Sequence, residues 1–261
     1  MTGMVENVSA DKAIALGHPS YVWRAGQERR LDMIRAHVAL EGARLLDVGC
    51  GLGMYVSRLR AFSDDVHGVD VDAERVAEAS RTLPNIRQAP AEALPYDADT
   101  FDMVLLHEVL EHVDDDAAAV GEAWRVTRPG GRIVVFVPNR WYPFETHGFF
   151  WRGEYRFGNI PLINYLPNAL RDRLCPHVRA YTRGGLRRLF AGLDGRLVAE
   201  RRIFAGYDNV VARWPRVGGA LCRASYALEG TPLDVFGLSH LVVYEKGGGE
   251  GAGDRRGRDT Q

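Results

Sequence analysis

The chain has 261 residues, 46% of them apolar and 26% charged, with a formal net charge of −1. A single core running to about 250 residues accommodates it. These proportions exclude whole-chain disorder and a small disulfide scaffold, and no run approaches the ~18 apolar residues of a membrane-spanning helix. The charge is unevenly laid out: residues 1–130 hold 22 acidic and 13 basic side chains, residues 131–261 hold 12 and 20. That asymmetry turns the second half toward an acidic ligand or a membrane surface. All basic residues but Lys12 and Lys246 are Arg, so base composition contributes to the pattern too. Cys50, Cys175 and Cys222 are odd in number and lack metal-ligand spacing, which reads as inert thiols in a reducing cytoplasm. The opening MTGMVENVSA lacks the basic and apolar regions of a signal peptide.

From Tyr21 a helical period runs through Val22, Ala25, Leu31, Ile34 and Val38 until Gly42, giving an N-terminal helical cap over residues 1–40. Leu45–Val48 is a short strand that meets Gly49-Cys50-Gly51-Leu52-Gly53, and a helix follows to about Phe62. Val66–Val69 is a second strand ending at Asp70, and Ala73–Leu83 a helix closed by Pro84. Phe101–Leu106 is a buried strand. Val109–Val126 reads as one or two helices ended by Pro129-Gly130-Gly131, and Ile133–Val137 is strongly β-like. Strands that are continuous apolar runs, alternating with helices, predict an α/β fold: a doubly wound, mostly parallel sheet of seven strands within residues 41–246. Residues 140–178 interrupt it as an aromatic-rich helical insertion, with nine aromatics between Trp141 and Tyr165. Thr182 is an N-cap for the next helix. Leu197–Phe204 and His240–Tyr244 are late strands, paired antiparallel at the sheet edge, and the tail 247–261 reads as disordered.

A glycine cluster after the first strand lies where open α/β sheets bind ligands. Gly49, Gly51 and Gly53 spell G-x-G-x-G, with Met54 where a dinucleotide fingerprint needs a third small residue, so a nicotinamide-linked oxidoreductase is disfavoured. Asp70 stands 21 residues after Gly49, at a position where a carboxylate accepts both hydroxyls of a ribose. The plain alternative is a strand–helix turn with a capping Asp.

LLDVGCGLG (45–53), GVDVD (68–72), PAEALPYDADTFDMVLLHEVLEHV (90–113) and TRPGGRIVVFVPN (127–139) resemble, in order, the motifs of class I S-adenosylmethionine-dependent methyltransferases, nearest to the branch of the ubiquinone and menaquinone pathway enzymes. The resemblance is strong over residues 21–139 and loose over 176–245. It implies that Asp47, Gly49 and Gly51 surround the amino-acid end of S-adenosylmethionine. Asp70 would hold the ribose, Val71 would pack on the adenine, Ala91 and Glu92 would meet the adenine edge, and His107 would lie beside the methionine moiety. Trp23–Arg30 would close over the cofactor. Pro90 departs from the pattern, since many relatives carry an Asp there for the adenine amino group.

Glu108, Glu111 and His112 form E-x-x-E-H. On a helix these positions share a face, and two carboxylates with an imidazole suit Mg²⁺ or Mn²⁺. The pattern resembles the metal site of small-RNA terminal 2′-O-methyltransferases, which implies His177, upstream of Thr182, as fourth ligand. In the plain reading His112 caps or packs. His147 is a rival to His177 as fourth ligand, and His112 or His147 is the candidate general base. The insertion is either a lid whose aromatics and Arg residues take the acceptor, or a mini-core with Arg on its solvated face. The chain is thus expected to methylate a hydroxyl on a small-molecule, sugar or lipid-linked, quinone-like acceptor, with peripheral membrane contact allowed. DNA is excluded as a partner and RNA disfavoured, since no separate binding module is visible. A non-catalytic cofactor-binding subunit is the remaining alternative, and the oligomeric state is not readable.

Overall fold

The computed structural model describes residues 23–248. A helix, α1 (Ala25–Arg35), precedes the alternating core: β1 (Leu45–Val48), α2 (Met54–Leu59), β2 (Val66–Asp70), α3 (Ala73–Ala79), β3 (Ile86–Gln88), β4 (Phe101–His107), α4 (Asp116–Val126) and β5 (Thr127–Pro138). The insertion adds β6 (Phe144–Glu145), β7 (Phe149–Trp151), β8 (Glu154–Arg156), β9 (Ile160–Pro161) and α5 (Asn168–Leu174). Then come α6 (Arg183–Leu189), β10 (Gly195–Ile203), α7 (Asp208–Arg213), α8 (Pro215–Ala227) and β11 (Ser239–Lys246).

Seven strands form one sheet in the order β10-β11-β5-β4-β1-β2-β3. β11 runs antiparallel to both neighbours, and the other pairings are parallel. The central strands alternate apolar residues onto two covered faces. Leu46, Val48, Val104, Leu106 and Val135 pack with α4 and α6, while Leu45, Leu105, Val134 and Phe136 pack with α1 and α2. Burial of each large apolar side chain contributes roughly 1.5–3 kcal/mol, so both faces hold the strand ends in place. Polar caps set the helix starts: Asp72 accepts from Glu74, Asp115 from Ala118, and Thr182, as expected, from Gly185.

Four expectations are corrected. Residues 108–115 are not helical: Glu108 has φ +57° and α4 begins only at Asp116. The sequence reading also omits β3, a three-residue polar edge strand, and α7 and α8, which separate β10 from β11. The insertion is not mainly helical. It holds two two-stranded sheets, β6-β9 and β7-β8, one α-helix and a short 3-10 helix (Ile163–Tyr165). Of the N-terminal cap, residues 1–22 lie outside the described residues, as does the tail beyond Gly248.

Candidate active site

The carboxyl ends of β1 and β2 form the first half of the site. Gly49, Gly51 and Gly53 have φ of +70°, +54° and +79°, conformations that glycine adopts without penalty. Their surroundings differ. A Cβ on Gly49 would sit 2.5 Å from Val109 and one on Gly53 2.3 Å from Leu83, whereas one on Gly51 meets nothing within 4 Å. Gly51 therefore faces open space where a ligand fits. Asp70 accepts the N–H of Gly51 at 2.8 Å and of Asp72 at 2.9 Å, one on each oxygen. A carboxylate has about four acceptor positions, so two remain for a ribose diol, and the helix cap is Asp72 rather than Asp70. Asp47 is buried beside it, and burial together with the Asp70 charge pushes its carboxyl well above the usual range. Val71 is 48% exposed, an apolar surface beside Asp70 with room for a flat ring. Ala91 is buried. Glu92 accepts the N–H groups of Asp114 (3.1 Å) and Asp115 (3.4 Å) on one oxygen, and neither bond uses the other.

His107 closes this half. Its ring lies 4.5 Å from Tyr55 and 5.3 Å from Phe136, and its Nε2 accepts from Arg30 at 2.7 Å. Burial, helped by the Arg30 charge, pushes it down to about 4, so it is neutral. Arg30 also binds Glu108 at 2.6 Å and Ser239 at 3.0 Å, and Trp23 stands edge-on to Tyr55 at 5.0 Å. Trp23 and Arg30 thus lie at the rim, and the Tyr55 hydroxyl is enclosed without a partner.

The second half lies past β4, where the expected ligand set is rearranged. Because Glu108 turns into left-handed backbone, the shared helical face does not exist, and its carboxylate pairs with Arg30. Among the described residues, the side chains whose ligand atoms all lie within 4.8 Å of one another are Glu111, His112 and His147. Neither Glu108 nor His177 joins that group. His177 donates from Nε2 to the His147 carbonyl at 3.1 Å, so it braces the loop. Glu111 is 1% exposed with both oxygens lacking a partner, and burial, reinforced by Glu108, pushes it up to about 8. His112 is driven down to about 4 by burial and by His147, and its Nδ1 has no partner.

His147 is held from behind. Its Nδ1 meets Glu145 at 3.0 Å, and Glu145 meets Arg171 at 2.9 Å. Arg171 also donates to Asn164 at 3.2 Å and to the Val178 carbonyl at 2.9 Å. Glu145 and Arg171 are each 3% exposed. Burial opposes the charge on His147, but the Glu145 bond and the charges of Glu111 and Glu108 outweigh it and raise its pKa. A histidine whose second nitrogen is fixed by a carboxylate presents the other in one orientation. The sequence reading places Arg30 in the segment over the cofactor and Arg171 among the arginines that take the acceptor, and it misses Tyr55, Glu145 and the pairing of Glu145 with Arg171. Only Glu145 carried a signal, its two-residue spacing from His147.

Around this polar chain Ile163, Cys175 and Val178 form a small core with Phe149, Ile160 and Leu174. Trp141, Phe144, Trp151 and Tyr165 are exposed instead. The insertion core is thus aliphatic and ionic, and most of its aromatics face outward. Cys50 and Cys175 are buried, and burial pushes both thiols up, that of Cys175 to about 12, in keeping with inert cysteines.

Residues 46–135 match the family model of a methyltransferase domain. The chain is 36% identical over 121 residues to a ubiquinone biosynthesis O-methyltransferase of Methylococcus capsulatus, covering 42% of this chain and 50% of that one. It is 33% identical over 145 residues to a demethylmenaquinone methyltransferase of Beutenbergia cavernae, covering 51% and 60%. The chain thus spans about half the length of the curated relatives it matches. A crystal structure of an S-adenosylmethionine-dependent methyltransferase from Mesorhizobium loti superposes with a TM-score of 0.56 at 18% identity, over 82% of this chain and 96% of that one. A likeness at that identity shows the fold, a Rossmann-like class I methyltransferase sheet.

Proposed function

We propose, from the match of residues 46–135 to a methyltransferase domain and from the methyltransferase-like sheet, that the chain uses S-adenosylmethionine to methylate a hydroxyl on a small-molecule, sugar, quinone-like or lipid-linked acceptor. One observation carries the reading. The open glycine cradle at Gly51 and Asp70 lies at the strand ends next to a buried carboxyl and two imidazoles whose free atoms converge.

S-adenosylmethionine, when bound, supplies an electrophilic methyl group on a sulfonium. Asp70 takes the ribose hydroxyls on its remaining lone pairs, Val71 covers the adenine, and Asp47 answers the ammonium charge. Ala91 and Glu92 serve the adenine edge, Glu92 through its other oxygen, and neutral His107 lines the methionine end. Turnover then depends chiefly on positioning the acceptor oxygen in line with the methyl. Its proton passes to the cluster, where His147, oriented by Glu145, and Glu111 are the acceptors within reach.

The same cluster fits a divalent cation. With Glu108 paired to Arg30, Glu111, His112 and His147 offer one carboxylate and two imidazoles, a set that favours Mn²⁺ or Zn²⁺ over Mg²⁺. Bound there, a cation would lower the pKa of the acceptor hydroxyl.

Two measurements test this. Calorimetry should give S-adenosylmethionine binding and no NAD binding, and the reverse result overturns the reading. Turnover after exhaustive chelation should fall and return with Mn²⁺. Full turnover without metal removes the cation and leaves Glu111 and His147 as proton acceptors.

A further inference from the structure

Arg140 lies just beyond β5, beneath the insertion, and is 9% exposed. Its Nη2 donates to two neutral oxygens, the Leu166 carbonyl at 2.6 Å and Asn168 Oδ1 at 3.2 Å. Its Nη1 is enclosed with no partner. No ion pair is formed by Arg140 among the described residues. The carboxylate nearest in kind, Glu145, is already taken by Arg171 and His147, and Asp172 is 69% exposed. Burial, and then the neighbouring Arg171 charge, weigh against the charged guanidinium more than Asp172 and Glu145 support it. A buried cation that no carboxylate pairs with directly is costly, by several kcal/mol after relaxation, and arginine cannot shed its proton to escape that cost.

Arg140 lines a cavity of about 580 Å³ whose wall also includes Glu111, His112, Arg171 and Arg179, with Asp114 and Asp172 as further acidic groups. The cavity therefore touches the cluster at one place and the guanidinium that lacks an ion-pair partner at another. Arg179 contributes a further positive charge at the wall, its guanidinium already donating to the Val113 and Asp114 carbonyls.

We propose that this cavity binds an oxyanion, a phosphoryl or carboxylate group, through Arg140, and that the anion is part of the acceptor. The first half stands on the cavity and the charge alone. The second rests on the methyl-transfer reading: an acceptor anchored at Arg140 presents its hydroxyl end to Glu111 and His112. Guanidinium recognises either oxyanion through paired N–H donors, so the two sources have to be separated by experiment.

The test uses the whole chain, with orthophosphate and succinate as separate probes against sodium chloride at matched ionic strength. Binding is followed by calorimetry and by the thermal unfolding midpoint, and S-adenosylmethionine affinity is measured alongside. At least one oxyanion should raise the wild-type midpoint beyond the chloride control, and which one does assigns phosphoryl or carboxylate. Arg140→Gln should weaken that binding at least 10-fold and leave S-adenosylmethionine affinity unchanged. Arg140→Lys, which keeps the charge but not the fork of donors, should weaken it several-fold and serves if the Gln variant does not fold. Absence of stabilisation by both anions, or undiminished binding in the Arg140 variants, overturns the proposal. If the wild type binds the anion but not S-adenosylmethionine, the oxyanion site stands and the methyl-transfer reading falls.

Discussion

The carboxyl ends of β1 and β2 and the turn that leaves β4 lie side by side in the sheet, yet they treat polar groups in opposite ways. At the first, the chain satisfies its acidic groups itself, with the Tyr55 hydroxyl as the exception: Asp70 binds two backbone N–H groups, Asp72 caps α3, and Gly49 and Gly53 make room for Val109 and Leu83. At the second, Glu111, His112, His177 and Arg140 each leave an enclosed atom without a partner. Buried polar groups are nearly always paired in folded proteins, so a concentration of unpaired ones marks where something other than the chain completes the bonding. The first region is a finished cradle with lone pairs to spare. The second is completed only by what binds there.

The sharpest way to break this contrast is Glu111→Gln. If the two regions divide the labour, turnover should fall about 10²–10⁴-fold, the range for a lost acid–base or ligand group, with S-adenosylmethionine affinity within about 2-fold, a difference well under 1 kcal/mol. A methyl-transfer assay and calorimetry on the same sample check it, and a parallel loss of affinity would merge the two regions into one. Next in size is Asp70→Ala, which removes the ribose contacts and leaves the Gly51 N–H unpaired. Affinity should drop by about 2–4 kcal/mol, with little change in the turnover of saturated enzyme. Unaltered affinity would reduce Asp70 to a brace for the glycine turn.

A pair of glycine variants sharpens the comparison within the cradle. Both Gly49→Ala and Gly51→Ala cost roughly 1–2 kcal/mol for left-handed backbone, and Gly49→Ala adds about 1–3 kcal/mol of overpacking against Val109. Denaturant midpoints should rank Gly49→Ala as less stable. Calorimetry should rank Gly51→Ala as the weaker cofactor binder, because only its methyl enters open space.

The smallest effect concerns pH. His147 has a pKa raised above its unfolded value of about 6.5. Its contribution to stability is therefore fully present below pH ~6.5 and is lost as pH rises through the folded value. Glu111, raised to about 8, works with the same sign as pH rises toward that value, so a variant is needed to separate them. Glu145→Gln removes the chief support of the His147 charge. Its unfolding midpoint should change less between pH 6 and pH 9 than that of the wild type, and an unchanged pH slope would mean that Glu145 does not set the state of His147.

The sheet and the cradle were legible because their signals are local. Continuous apolar runs mark buried parallel strands, glycines mark left-handed turns, and the 21-residue step from Gly49 to Asp70 is one strand–helix–strand unit. The cluster beyond β4 was half legible. Glu111, His112 and His147 were named, but E-x-x-E-H was placed on a helix because the i, i+3, i+4 spacing is also compatible with an irregular turn. The run Asp114-Asp115-Asp116 before three alanines marks the true helix start, and Asp115 is the cap. Glu145 and Arg171 were not assembled into a pair because the segments carrying them meet only in three dimensions. The insertion strands escaped because they are two or three residues long, too short for a period to show.

Arg30 ties α1 to β11: it bonds Ser239, 209 residues further on, and its neighbour Arg29 bonds Glu229. Synthesis runs at roughly 5–20 residues per second, so α1 emerges some 10–40 s before Ser239, the last partner that Arg30 takes. His107 and Glu108 reach Arg30 well before that, so the glycine turn, β2, β4 and this side of the rim can assemble first. A chain halted before β11 would thus carry a rim tied at β4 but not at Ser239. The order of manufacture makes the bond from α1 to β11 the last fastening of the candidate site.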